Sequence, residues 1–317
     1  MNEEKRQGLL SKYSRTGDVT KIAAGKNKYP QMKTDSFYMD VESDFGGYGG
    51  GTLWAYIWEP VNMQPEPVVS ELSRYITVFG GDATDYRVLH GAAEVTIGTN
   101  KDDMEVFKLS ESFGVYVEKG MLYSINITHL DDPKLPMFYS EVVVGANAPP
   151  EENPLADDGD GMKRFIKSGE ELNTKYPDTE NLKTVLTTTH HMFKGKELVR
   201  RTWMPIIKPH IMAKYSHTHT FSEYLVFMGS DPENIADLGG VVEFTIGENA
   251  DELETFRFDK ATQFHLAKGV WHSPLVFKEV RDPSKPVILC EVSYATELVD
   301  GDKLDNSIEE NDWRILP

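Results

Sequence analysis

A repeat hidden in the strand-like runs of this chain constrains its fold more than any other feature. Leu72-Ser73-Arg74-Tyr75-Ile76-Thr77-Val78-Phe79-Gly80-Gly81-Asp82 lines up with Phe221-Ser222-Glu223-Tyr224-Leu225-Val226-Phe227-Met228-Gly229-Ser230-Asp231, at an offset of 149 residues (223 minus 74). The same offset carries Glu94-Val95-Thr96-Ile97-Gly98 onto Glu243-Phe244-Thr245-Ile246-Gly247, and Lys119-Gly120 onto Lys268-Gly269. One residue further on, Asp132-Pro133 meets Asp282-Pro283, and Glu141-Val142 meets Glu291-Val292. Self-similarity at a fixed spacing means one structural unit built twice. In each copy, short β-branched or aromatic runs alternate with Gly, Asp and Pro. They fall at 68–79, 92–98, 104–109, 114–117, 121–128 and 137–144, and again at 211–228, 241–247, 253–258, 262–267, 270–277 and 287–294. Many short strands at such intervals predict a sandwich or barrel in each half.

At 317 residues the chain is long enough for two domains, each with a core of its own. Asp and Glu number 51 against 33 Lys and Arg, a formal charge of −18. Such a surface repels phosphate backbones and anionic bilayers, so nucleic acid and membrane are not the expected partners. Cys290 is the single cysteine, set in the apolar run Val287-Ile288-Leu289-Cys290, and predicts a buried inert thiol. No stretch reaches the roughly eighteen apolar residues of a membrane helix, and a cytoplasmic protein is the simplest expectation.

The chemistry gathers in Ser216-His217-Thr218-His219-Thr220-Phe221-Ser222-Glu223 and in Lys268-Gly269-Val270-Trp271-His272. His217, His219 and Glu223 share parity, so on extended backbone their side chains share a face. A later imidazole, His272, joins them. Imidazoles with one carboxylate suit a divalent transition metal, and three or four protein ligands leave room for water or substrate.

His-x-His, three residues, Glu223, five residues and Gly229, then Gly269-x-x-His272 about forty residues later, resembles the two-part signature of the cupins. The first motif is one residue shorter between Glu and Gly than is usual, and Ala267 stands where the second usually has Pro; neither departure touches a ligand position. With the repeat, the chain resembles a bicupin. That implies an all-β fold of two tandem jelly-roll barrels, with short helical or irregular segments at the N-terminus and between them. The expected divisions are an extension at 1–45, a cupin at 46–147, a linker and approach segment at 148–196, a second cupin at 197–299 and an extension at 300–317. In the first copy His217, His219, Glu223 and His272 correspond to Val68, Ser70, Arg74 and Tyr123. Every ligand is lost there, and metal is expected only in the second copy. Arg74 and Tyr123 are alternatively an anion pocket.

The resemblance implies one metal per chain, Fe(II) or Mn(II) ahead of Ni, Co or Zn, and a small-molecule substrate. Candidate catalytic groups beside the metal are His265 and His210, since an imidazole titrates near neutrality. Phe221, Phe264 and Trp271 are the candidate pocket wall. Ser216, Thr218 and Ser273 are candidates for orienting the ligand imidazoles, and Arg201, Lys208 and Lys214 for attracting a carboxylate. Dioxygenase-like oxidation of a keto acid, diketone or phenolic compound stands slightly ahead of isomerase, lyase or decarboxylase chemistry with the metal as a Lewis acid. A non-catalytic sugar- or metabolite-binding bicupin is the reading from another class. A homodimer is compatible with such a fold.

Overall fold

A computed structural model describes residues 3–16, 37–40, 50–145, 148–150, 152, 159–172, 182, 184–295 and 300–304. Residues 46–49 of the glycine-rich stretch 46–51, most of the stretch between 151 and 158, and two segments of identical sequence Lys-Tyr-Pro at 28–30 and 175–177 lie outside these residues. The chain forms two compact units. One comprises Asp18–Lys175 with Leu186–Leu198, and the other Met1–Gly17, Tyr176–Val185 and Val199–Pro317. Among the described residues no helix is long and apolar enough to cross a membrane.

An opening helix, α1 (Glu3–Tyr13), carries Glu3 and Glu4 in its first turn and Lys12 in its last, the charge order that a helix dipole favours. It runs into β1 (Ser14–Thr16). Leu9 and Tyr13 are buried in the core of the C-terminal unit, so this segment is part of that unit rather than a free extension. The run 162–172 reads as a helix in sequence. The structure breaks it into two 3-10 turns, Gly161–Phe165 and Gly169–Leu172, around a short strand at Ile166–Ser168. That strand pairs within the N-terminal unit while Phe165 and Leu172 go into its interior, so pairing overrides helical propensity.

In the N-terminal unit, one sheet contains β2 (Gly50–Ile57), β3 (Arg74–Phe79), β6 (Phe113–Val117) and β8 (Met137–Val144), in the order β6-β3-β8-β2. The other contains β4 (Val88–Gly98), β5 (Glu105–Glu111) and β7 (Leu122–Leu130), in the order β7-β4-β5. The C-terminal unit repeats the plan. One sheet runs β1-β15-β12-β17-β9, from β9 (Arg200–Ile206), β12 (Glu223–Gly229), β15 (Thr262–Leu266) and β17 (Val287–Ser293). The other runs β14-β13-β16-β11-β18, from β11 (His217–His219), β13 (Asp237–Gly247), β14 (Glu254–Lys260), β16 (Trp271–Val280) and β18 (Asp300–Lys303), while β10 (His210–Ala213) pairs with β16. All pairings are antiparallel, and two facing sheets in each unit make the expected jelly roll.

The glycines of the repeat have a backbone reason. A Cβ on Gly80 would lie 1.8 Å from the Val88 carbonyl oxygen, and one on Gly229 would lie 2.0 Å from that of Asp237. Each marks the same close approach in its own unit. Gly120 and Gly269 both adopt positive φ (91° and 83°), where a side chain is disfavoured, at the turn that feeds β7 and β16.

Phe227 anchors the C-terminal core. It is fully buried, with ring centroids of Phe258 at 5.2 Å, Phe264 at 6.1 Å, Phe277 at 6.1 Å and Phe244 at 6.4 Å. Phe227→Ala should destabilise this unit by about 3–5 kcal/mol, read as an earlier urea unfolding midpoint.

Candidate metal centre

Each unit's inward faces follow from strand parity. On β12, Leu225 and Phe227 enter the core, which places Glu223 on the same inner face. The expected single strand over 211–228 is instead β10, β11 and β12, because the chain bends at Thr220 and Phe221 and crosses to the opposite sheet. Glu223 therefore reaches the imidazoles from across the barrel, and shared parity along one strand is not the cause. His217 and His272 are paired neighbours on β11 and β16.

One nitrogen from each of His217, His219 and His272 lies within 4.8 Å of the others. The His219 and His272 Nε2 atoms stand 3.4 Å and 4.0 Å from Glu223 Oε2. His217 Nδ1 lies 3.1 Å from the Tyr215 carbonyl oxygen, and His272 Nδ1 lies 3.0 Å from that of Val270. A carbonyl only accepts, so each Nδ1 carries the proton and each Nε2 is the basic nitrogen. Burial first, then the neighbouring His217 and His219, holds the His272 imidazole well below its usual pKa, and so neutral. Convergent imidazoles and a carboxylate fit a divalent transition metal.

The groups that orient the His217 and His272 rings are backbone carbonyls. Ser216 donates its hydroxyl to the Ser273 carbonyl, and Thr218 Oγ1 accepts from the Asp302 amide at 3.0 Å. Both hydroxyls tie strands together. The Asp302 bond belongs to β18, which lies along β11 with Lys303 opposite His217 and Asp300 opposite His219. The Leu304 amide reaches the Ser216 carbonyl at 2.9 Å, and Lys303 Nζ reaches the Tyr215 hydroxyl at 3.0 Å. The three-residue ligand strand is thus held on both edges.

The other sequence candidates separate. Phe221 stacks on His219 at 4.5 Å and 13°, so it does flank the ligands. Phe264 sits among Phe227, Phe244 and Phe258, in the core. Trp271 directly precedes the inward His272 on β16 and so faces the other way, half-buried. His265 lies between the inward Phe264 and Leu266, and its ring stacks on the outward Tyr224 at 4.6 Å. It is on the wrong face of the sheet for a base at the metal. His210 pairs with Phe277, five residues along β16 from His272, or roughly 16 Å at strand rise. Arg201 is fully buried with its guanidinium 4.6 Å from the Trp203 ring, on the outer face of β9.

Two inward residues were not singled out in the sequence. Glu291 on β17 aligns with Leu225 of β12 and Thr202 of β9, and Ser293 Oγ donates to its Oε1 at 2.9 Å. Burial first and Glu223 second push its carboxyl up to about 7, against the Ser293 bond, Arg200 and His219. It is half-buried, as a group lining a cup is. Arg200, at the inner face of β9, is its cationic neighbour. The signal for both was parity: Glu291 shares parity with core residues Val287 and Leu289, and Arg200 with Met204 and Ile206.

The N-terminal unit answers the same positions differently. Arg74 takes the place of Glu223, and its guanidinium pairs with Glu141, the counterpart of Glu291. Arg74 Nε also donates to Ser70 Oγ at 2.8 Å, and its guanidinium lies 5.5 Å from the Tyr123 ring centre. Tyr139 donates to Glu141 Oε2 at 3.1 Å. An internal carboxylate already answers the cation, so this is not an open anion pocket.

No protein-family model matches the chain, and no curated protein does. Solved structures do. A serine-to-alanine mutant of Bacillus subtilis oxalate decarboxylase superposes with a TM-score of 0.51 at 12% identity, over 89% of this chain and 77% of that one. A Bacillus subtilis oxalate decarboxylase structure analysed for its Mn(II) centres matches at 0.51 and 13%, over the same shares. The fold is two tandem cupin jelly rolls. At such identity the likeness describes architecture, and the donor set described above is what speaks for a metal.

Burial pulls the His265 imidazole down to about 4, from an ordinary 6.5. Between those values the unfolded chain binds a proton that the folded chain refuses, so stability present above about 6.5 is lost as pH falls toward 4. His265→Gln should remove on the order of 2–3 kcal/mol of that loss, measured by urea unfolding of wild type and variant across the window.

Proposed function

We propose that the C-terminal barrel is the metal centre of an enzyme acting on a small, oxygen-rich organic acid. His217, His219, His272 and Glu223 hold one divalent transition metal, with Mn(II) or Fe(II) ahead of Ni, Co and Zn. The observation that carries this reading is the locking of His217 and His272 through Nδ1, which turns their basic nitrogens toward His219 and Glu223. A binding protein with a decayed site has no physical need for that arrangement. When bound, the metal supplies Lewis-acid polarisation of a carbonyl or carboxylate oxygen.

The chain's own groups favour lyase or isomerase chemistry. Such reactions move a proton to or from carbon, and Glu291 offers a carboxyl for it on the inner face of β17. Ser293, bonded to Glu291, fixes the oxygen that exchanges the proton. Phe221, flat against His219, keeps that ligand ring oriented and shields it from water. Two solved structures of similar fold are of a decarboxylase, one of them analysed for its Mn(II) centres, which is consistent with this class. Dioxygenase-like oxidation ranks behind it, because no feature of the cup calls for dioxygen. The N-terminal barrel carries no metal in this reading, since the Arg74 guanidinium stands in the ligand position and pairs with Glu141.

Metal analysis by mass spectrometry of protein purified without chelator tests this. About one Mn or Fe per chain is expected. His217→Ala/His272→Ala should lose it, and Arg74→Ala should keep it. Equal metal in wild type and the double His variant would refute the centre.

A further inference from the structure

The inner face of the sheet β12-β17-β9 grades from polar to apolar in rows. Arg200, Ser293 and Glu223 form the first row, Thr202, Glu291 and Leu225 the second, and Met204, Leu289 and Phe227 the third. The third row belongs to the core, whereas the first contains a metal ligand. Arg200 and Glu223 are two strands apart, about 10 Å between their backbones.

Arg200 is only half-exposed, and its Nε is buried without a hydrogen bond among the described residues. A guanidinium removed from water needs an anionic acceptor, and its planar fork matches a carboxylate. The barrel itself does not require an arginine here. In the N-terminal unit the equivalent row is Gly51, Val143 and Arg74, so glycine fills the place of Arg200. The arginine therefore occurs in the copy that carries the ligand imidazoles, at the end of the row that holds Glu223.

We propose that Arg200 anchors the carboxylate of the substrate while the substrate's other end reaches the metal centre, with Glu291 and Ser293 hydrogen-bonding a hydroxyl between them. The substrate class is then a hydroxylated or keto carboxylic acid of roughly four to six carbons, the length that spans two strand spacings less the reach of an arginine. Oxalate, with two carbons, is too short to join both ends. Its second charge would also meet the Glu291 carboxyl. This deepens the metal-centre reading and rests on it.

The test uses the full chain loaded with Mn(II), with metal content measured first. Calorimetric titration with L-threonate, D-gluconate and D-glucuronate is compared with oxalate and with the neutral polyol xylitol. At least one hydroxy acid should bind about tenfold or more tightly than oxalate. Arg200→Gln should weaken that acid by about tenfold or more, while xylitol binding, Mn(II) content and melting temperature stay at wild-type values. Arg200→Lys should recover part of the loss. Oxalate binding more tightly than every hydroxy acid, or Arg200→Gln binding the acids as well as wild type does, would overturn the anchor alone. Failure of the wild type to take up Mn(II) would instead overturn the metal centre, and the anchor with it.

Discussion

A carboxylate inside a β-barrel must be answered by a cation, and much of the structure follows from how each barrel meets that demand. Glu141 in one unit and Glu291 in the other project from equivalent strands onto inner faces that are otherwise becoming apolar. Leaving such a charge unpaired in low dielectric is costly. In the N-terminal barrel the response comes from the polypeptide, with Arg74 on the neighbouring strand and Tyr139 on the same one. In the C-terminal barrel the neighbouring position is Glu223, a second acid, and the cation near Glu291 is Arg200. Three imidazoles beside two carboxyl groups make a local environment that suits a divalent cation.

Such a centre depends on how its ligands are held. His217 and His219 lie on a strand of three residues, too short to persist alone, and the backbone on either edge keeps it straight. Ring orientation also comes from the main chain, through the carbonyls of Tyr215 and Val270. A side chain in that role could be exchanged by mutation. A carbonyl is present whatever the residue, so sequence inspection for partner hydroxyls looks in the wrong place.

The sequence revealed the repeat, most of the strands and the three imidazoles that the fold brings together, because these rest on patterns that survive at single-residue level: alternation, turn residues and motif spacing. It misjudged what depends on which face a strand presents. His265 was attractive through its closeness in sequence to His272, yet it alternates with Phe264 and Leu266 and so points out of the barrel. Arg201 was noted where Arg200 mattered, a shift of one residue that exchanges outside for inside. The bend at Thr220 and Phe221 had no Gly or Pro to announce it, so one long run hid three strands. The short piece at Ile166–Ser168 was hidden by helical composition and emerges from pairing with Phe113–Val117.

The exchange of Glu223 for Arg74 between the copies has a consequence for how the protein ages in a cell. The N-terminal barrel brings its counter-charge with it on the ribosome, and it can reach its finished interior as soon as its own strands are made. On the proposed metal centre, the C-terminal barrel takes its further cation from outside the chain. Newly made molecules in a metal-starved cell would then carry a second site open to whichever cation arrives first. The identity of the metal would then be decided partly by supply at the time of synthesis, and only partly by the ligands.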